Sequence, residues 1–424
     1  MNVLIVTHNY APDRAPRAFR WTAIAAYWAA QGAHVDVVTT GRSGLAQEED
    51  VDGVHLHRVG ERWFGRLRRG ATGTASSNAT QSRFAFIASI AKAIYDITWK
   101  RIYWPDHSAL WYPSARNCVR RLCGKRSYDA LITVSHPFSA HMVGLAARRQ
   151  FPKLKWIVDV GDPFSLPGTV PFNNEALYRT LNRRAEARVY ADCDMISVTV
   201  EGCRRGLRDA FPVSGDKTRV IPPLLSLSPR EIIEPDKHTG RRLVYIGVLY
   251  GRIRRANGLL ALFARLRERN PVLELHFYGE LQDCESDFEP YARLMGVAIF
   301  VHGPVPRQKV PEIMANADIL VNVGNDTSFQ LPSKLVEYVS AEKPIINVAG
   351  KEQDTAAAFL TDYPAALTVI CDPDAPSAED VERCLRFIDM PPKIEPARIE
   401  AKLAKFKIDA VADAYKELIY AGSP

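Results

Sequence analysis

Nine residues, Gln330-Leu331-Pro332-Ser333-Lys334-Leu335-Val336-Glu337-Tyr338, hold the most suggestive chemistry of the chain, and Lys343-Pro344-Ile345-Ile346 follows closely. Proline suits the first turn of a helix, where its missing N–H is not needed, so Pro332 is expected to open one. The free N–H groups of that turn, with the positive end of the helix dipole, form a site for an anion. Lys334 adds a mobile charge there, and Ser333, Lys334 and Glu337 share one helical face. A carboxylate at Glu337 can then accept hydrogen bonds from two neighbouring ribose hydroxyls. Binding of a nucleotide diphosphate uses every part. The plainer alternative is a surface helix carrying a Lys334–Glu337 ion pair. Residues 344–348 read as a short buried strand, and the edge of a parallel sheet, where strand, loop and helix start meet, is where such sheets bind ligands.

The elements that must position this site come from a chain of 424 residues, too long for one ordinary core. Its 47% hydrophobic and 24% charged content is that of a globular protein. No run of eighteen apolar residues is present, and the chain enters a strand at residues 2–6 without a secretory signal. Seven cysteines are scattered with no CxxC pair, which supports neither a zinc site nor a disulfide framework and fits a reducing cytoplasm. The net charge of +7 is unevenly spread. Residues 1–220 carry 31 Lys and Arg against 19 Asp and Glu, and residues 53–126 alone carry 14 against 3. Such a patch implies an anionic partner: membrane phospholipid, nucleic acid or a phosphorylated substrate.

Short β-branched runs alternate with helical patterns throughout. Strands are expected at 2–7, 34–39, 54–59, 130–135, 155–160, 195–200 and 219–221, then at 242–247, 273–278, 298–302, 318–323, 344–348 and 366–370. Alternation of this kind predicts α/β architecture, with parallel sheets covered on both faces. The proline-rich stretch 222–240, with Pro222, Pro223, Pro229 and Pro235, reads as a linker. It divides a domain over 1–221 from a second over 241–396, each Rossmann-like and doubly wound. Residues 397–424 read as terminal helices.

With these halves in place, the chain resembles the GT-B glycosyltransferases, in particular the family-four group that builds bacterial cell-surface polysaccharides. The resemblance rests on Thr7-His8-Asn9-Tyr10-Ala11-Pro12 with Arg20, on Trp104-Pro105-Asp106 and Trp111, and on the run from Trp156 through Asp159, Gly161 and Asp162 to Phe164. It continues through Tyr245-Ile246-Gly247 to the stretch from Pro332 to Glu337. It implies two domains facing a cleft, the first binding the acceptor and the second the nucleotide sugar, with the terminal helices crossing back to the first. It also implies that no metal or other cofactor is required, since helix dipole and basic side chains stabilise the departing diphosphate. Asp192-Cys193-Asp194 and Asp372-Pro373-Asp374 are accordingly read as strand entry and turn rather than metal ligands. UDP is the default nucleotide, ahead of GDP, and retention of configuration the default outcome. Two departures from the family stand out. Asp13-Arg14-Ala15-Pro16-Arg17 replaces a common Gly-Gly pair in the first strand–helix loop, and Phe329 stands where many members carry a second glutamate, eight residues before Glu337.

For the diphosphate, the resemblance implies Lys334 together with a basic residue soon after the strand-end glycine Gly247: Arg252, Arg254 or Arg255. Arginine suits phosphate because its fork donates two parallel bonds. The donor set is therefore Gly247, Arg252, Arg254, Arg255, Pro332, Ser333, Lys334 and Glu337. His136 and His8 follow strands at what is the functional edge of a parallel sheet, and Asp162 follows another, where a carboxylate can deprotonate an acceptor hydroxyl. These three are the catalytic candidates, against the plainer readings of strand-end histidines and a turn aspartate before Pro163. The basic patch mixes aromatics with charge at Arg62, Trp63, Arg66, Arg68 and Arg69, and again at Trp99, Lys100, Arg101 and Trp104. Basic amphipathic helices with interfacial tryptophans lie on anionic membranes. That pattern suits an enzyme on the cytoplasmic face of the inner membrane with a lipid-linked or glycan acceptor; a helix packed on the sheet with a solvated basic face is the alternative. The competing readings are a GT-B type UDP-sugar epimerase, an inactive transferase-like scaffold and a nucleic-acid-binding protein. No nucleic-acid module is recognised, and the absence of GxGxxG disfavours a dehydrogenase.

Overall fold

The computed structural model describes residues 1–13, 15–60, 102–169, 171–225, 240–251, 253–325, 327–351, 354–372 and 376–421. They form two compact units: residues 1–221 with 411–424, and residues 222–410.

The first unit is built on an eight-stranded sheet. Its strands are β1 (Asn2–Thr7), β2 (His34–Thr40), β3 (Glu48–Val51), β4 (Val54–Val59), β5 (Ala130–Val134), β6 (Trp156–Asp159), β7 (Met195–Val198) and β8 (Thr218–Val220). The spatial order is β3-β4-β2-β1-β5-β6-β7-β8, parallel except for β3. Every residue of β5 and β6 is buried, as their largely apolar sequence requires between two helical layers, Thr133 and Asp159 being the polar exceptions. Helix α1 (Pro16–Ala30) opens on proline and turns Ala18, Trp21, Ile24, Ala25 and Trp28 inward, an i, i+3, i+4 stripe. The other principal helices are α2 (Tyr112–Lys125), α3 (Ser139–Gln150), α4 (Glu175–Asp192) and α5 (Glu201–Ala210).

β3 was not expected from the sequence. All four of its residues are exposed, so no apolar alternation marks it, and it is held by the ladder to β4 and by ion pairs such as Arg58–Glu49. Its signal is the Asp52-Gly53 dipeptide, where both residues take positive φ (51° and 77°) in the tight turn into β4.

The second unit carries β9 (Arg241–Ile246), β10 (Leu273–Tyr278), β11 (Ile299–Gly303), β12 (Ile319–Val323), β13 (Ile345–Ala349) and β14 (Ala366–Ile370). All are parallel, in the order β11-β10-β9-β12-β13-β14. Helices α6 (Asn257–Arg269) and α10 (Ala378–Asp389) join Leu243, Tyr245, Leu275 and Phe277 in the core on one face of the sheet. Helices α7 (Val310–Ala315), α8 (Lys334–Ser340), α9 (Thr355–Leu360) and α11 (Pro396–Leu403) join Val244, Ile246, Leu320 and Ile345 on the other. Two parallel-sheet α/β domains of this kind are the GT-B architecture expected from the sequence. The expectation that Pro332 opens α8 is corrected: the helix begins at Lys334, and Pro332 lies outside it, its carbonyl accepting the Leu335 N–H at 3.0 Å. The last helix, α12 (Ile408–Tyr420), belongs to the first unit from Val411 onward.

Candidate functional site

In a doubly wound sheet, ligand-facing groups gather at the carboxyl ends of the strands, where the strand order reverses. In the first unit that place lies between β1 and β5, and in the second between β9 and β12.

His136 stands two residues beyond β5 and Asp162 three beyond β6. His136 Nε2 lies 2.8 Å from Asp162 Oδ2, with 26% and 24% of the two side chains exposed. The structure thus brings two of the three catalytic candidates into one imidazole–carboxylate pair. A carboxylate on Nε2 orients the ring and leaves Nδ1 as its second proton site. Phe172 packs on that ring, with centroids 3.9 Å apart. The loop beyond Asp162 is anchored by Glu186, a fully buried residue of α4. It accepts the N–H groups of Phe164 and Ser165, each at 2.8 Å, and the hydroxyls of Ser165 and Tyr190. Burial raises the Glu186 carboxyl above its ordinary range in spite of those donors. His8, the third candidate, follows β1 and is buried, edge-on to Trp111 and His107, with Nδ1 3.1 Å from Asn9 Oδ1.

A buried charge that the sequence reading did not single out as functional ends the strand before this loop. Asp159, the last residue of β6, receives Arg17 Nη1 (2.8 Å) and Trp21 Nε1 (2.7 Å) on Oδ2, and Ser197 Oγ (2.8 Å) and the Tyr415 hydroxyl (2.9 Å) on Oδ1. Burial works to raise this carboxyl, but Arg17 and Arg20 with these donors hold it below the usual carboxylate value. Arg17 lies in the first turn of α1, just past the strand–helix loop. Gly161 accommodates it: a Cβ there would stand 2.7 Å from Arg17 Nε.

In the second unit the donor candidates separate. Arg254 donates from Nε to Asn325 Oδ1 at 2.8 Å and from Nη1 to the Val248 carbonyl at 3.2 Å, so it spans the ends of β9 and β12 beside Gly247. Arg255 is drawn instead into an ion pair with the buried Asp287. Arg252 lies outside the described residues. Ser333 forms the N-cap position of α8, with Lys334 the first helical residue. Lys334 Nζ lies 3.8 Å from Glu337 Oε2, and Arg307 Nη2 donates to Glu337 Oε1 at 2.8 Å. Burial lowers the Lys334 pKa; Glu337 opposes the shift and Arg307 reinforces it. Tyr338 ties α8 to β9: its hydroxyl accepts the Ile246 N–H at 2.8 Å, next to Gly247. Arg307 is a residue that sequence reasoning missed. A cationic side chain after a strand end was its only local signal.

Of the membrane or acceptor candidates, Arg62, Trp63, Arg66, Arg68, Arg69, Trp99, Lys100 and Arg101 lie outside the described residues. Trp104 is half-buried and donates its indole N–H to Asn182 at 3.0 Å. Asp194 accepts from Trp156 N and from Arg148, at the entry to β7. Among the described residues, no group of three His, Cys, Asp or Glu side chains is arranged to hold a metal ion, and no helix is long and apolar enough to cross a membrane.

Two family models match the chain: a glycosyl transferase 4-like domain over residues 18–223 and glycosyl transferases group 1 over residues 240–372. No curated protein matches it by sequence. Among solved structures, sucrose-phosphate synthase from Thermosynechococcus elongatus is similar over 100% of both chains, with a TM-score of 0.66 and 15% identity. HepE from Anabaena, solved in complex with UDP, is similar over 99% of this chain and 100% of its own, with a TM-score of 0.61 and 12% identity. The lipopolysaccharide outer core galactosyltransferase WaaB is similar over 99% of both chains, with a TM-score of 0.58 and 14% identity. The first model covers most of the first unit and the second runs from β9 to just beyond β14, so the chain belongs to the glycosyltransferases these models describe and has the GT-B fold.

Proposed function

We propose that this glycosyltransferase moves a hexosyl or N-acetylhexosaminyl group from a nucleotide-diphosphate sugar, a UDP-sugar by default, to a lipid-linked or polysaccharide acceptor of the cell surface. The observation that carries the reading is the hydrogen bond from Ile246 N to the Tyr338 hydroxyl, which ties α8, with Lys334 and Glu337, to the strand end that bears Gly247 and Arg254. Arg254 and Lys334 would take the diphosphate and Glu337 the ribose. Solved proteins of the same fold were captured with UDP, with UDP-glucose and with UDP-2-fluoro glucose, which supports the uridine default. In the reaction the bond from the anomeric carbon to the diphosphate oxygen breaks and a glycosidic bond to an acceptor hydroxyl oxygen forms. The hydroxyl proton passes to the His136–Asp162 pair, and the two cations offset the charge growing on the leaving diphosphate. No metal is assigned a role, and configuration is retained by attack of the acceptor oxygen on the face from which the diphosphate departs.

Calorimetric titration of UDP, GDP, dTDP and ADP, with magnesium and with chelator, tests the donor half. One nucleoside diphosphate should bind equally well in both conditions. Lys334→Ala and Glu337→Ala should each weaken it by about 10- to 100-fold, as expected for losing a hydrogen bond to a charged group. Binding of none of the four by folded protein would sink the reading. For the acceptor half, the basic 53–126 segment motivates a position on the cytoplasmic face of the inner membrane. The protein should sediment with anionic vesicles at low salt and be released at high salt. Failure to bind at low salt would remove the membrane from the proposal.

A further inference from the structure

Glu337 is held from two directions. Its side chain is 6% exposed, while that of Arg307 is 33% exposed. Arg307 begins the short 3-10 turn Arg307–Lys309, which follows β11 and stands thirty residues before Glu337 in the chain. The guanidinium engages Oε1 at hydrogen-bond distance, whereas Lys334 stands 3.8 Å from Oε2, beyond it. An ionised carboxylate offers about four lone-pair positions. Acceptor capacity therefore remains on both oxygens after Arg307 has taken one position. A carboxylate on a flexible side chain can rotate about its last bond, and a directional bond from a planar guanidinium removes that freedom.

We propose that Arg307 is a positioning residue for ribose recognition: it fixes the plane of the Glu337 carboxylate so that the remaining lone pairs meet the 2′ and 3′ hydroxyls of a bound nucleotide. The preference for ribonucleotides over deoxyribonucleotides then depends on Arg307, although Arg307 does not itself touch the sugar. The inference rests on the nucleoside-diphosphate reading of α8. A purely structural role, tying the 3-10 turn to α8, would lower stability or affect all nucleotides alike.

The test compares UDP with 2′,3′-dideoxy-UDP, or the corresponding pair of whichever nucleoside diphosphate the titration identifies, on the full chain, in the wild type, Arg307→Ala, Arg307→Lys, Glu337→Gln and the Arg307→Ala/Glu337→Gln double variant, with thermal melts to establish folding. The wild type should prefer UDP by about 10- to 100-fold, the value of a hydrogen bond to a charged acceptor. Arg307→Ala should lose most of that preference while its affinity for the 2′,3′-dideoxy nucleotide stays within about threefold of wild type. The double variant should match Glu337→Gln alone, because the two residues act through one contact. Arg307→Lys, which keeps the charge without the planar fork, should recover part of the preference and serves as the readout should Arg307→Ala not fold. Equal loss of both affinities in Arg307→Ala, or an unchanged preference in the folded variants, overturns the inference. A wild type that binds the ribonucleotide without preferring it overturns the ribose contact along with it, and a wild type that binds none of UDP, GDP, dTDP and ADP overturns the donor-site reading on which it rests.

Discussion

Lys334 holds its charge where burial opposes it. The free protein therefore gives up that proton at a lower pH than an exposed lysine would, with Glu337 as the opposing influence and Arg307 as a reinforcing one. A bound diphosphate favours the charged form, so nucleotide affinity should fall as the pH climbs toward the ordinary lysine value. Lys334→Arg, which stays charged throughout, should flatten that fall. Calorimetry of UDP across the alkaline range in both proteins checks this, since ionisation of the uracil ring is common to the two. The stability of the free fold moves the other way. The unfolded state binds the proton more tightly in that window, so this residue's contribution to stability rises with pH as nucleotide binding weakens. Residues in one local pattern were legible from sequence: Lys334 and Glu337 are three apart on one helix and identified each other. Arg307 and the Asp159 cluster were not, because their partners lie far off in sequence. Nothing near Asp159 announces Ser197 or Tyr415, and nothing near Arg255 announces its ion pair with Asp287.

At the scale of elements, the donor site depends on one helix being tied to one strand end. The Tyr338 hydroxyl accepts from Ile246 N inside the core, so α8 and the start of the Gly247 loop move together. Tyr338→Phe would leave that buried N–H without its partner, at a cost of about 1–3 kcal/mol. Urea denaturation should show the loss. UDP titration should show weaker binding even though the tyrosine makes no nucleotide contact. The parallel strands were readable because most are short apolar runs between helical patterns. β3 escaped because its charged sequence carries no apolar period, and the Asp52-Gly53 turn was the only cue. The start of α8 was misjudged by two residues because proline is tolerated just ahead of a helix as well as in its first turn.

At the scale of the whole molecule, the second unit interrupts the first. Residues 222–410 lie between two parts of the same compact unit, and the later part contributes Tyr415 to the Asp159 cluster and to the face of Trp21, with ring centroids 4.8 Å apart. Truncation after Ala410 should therefore destabilise the first unit, although every strand of its sheet is retained. Limited proteolysis should cut the truncated protein within residues 1–221 sooner than the intact one, while residues 222–410 keep their resistance. The second unit closes on itself, with Leu225 N donating to the Phe406 carbonyl at 2.8 Å near its two ends. Domains ordinarily mature in the order in which they are synthesised. Here the first unit, though begun before the second, waits for residues 411–421, which are made after it, before Asp159 acquires its full set of donors. The unit begun second is the one that can finish first on the ribosome.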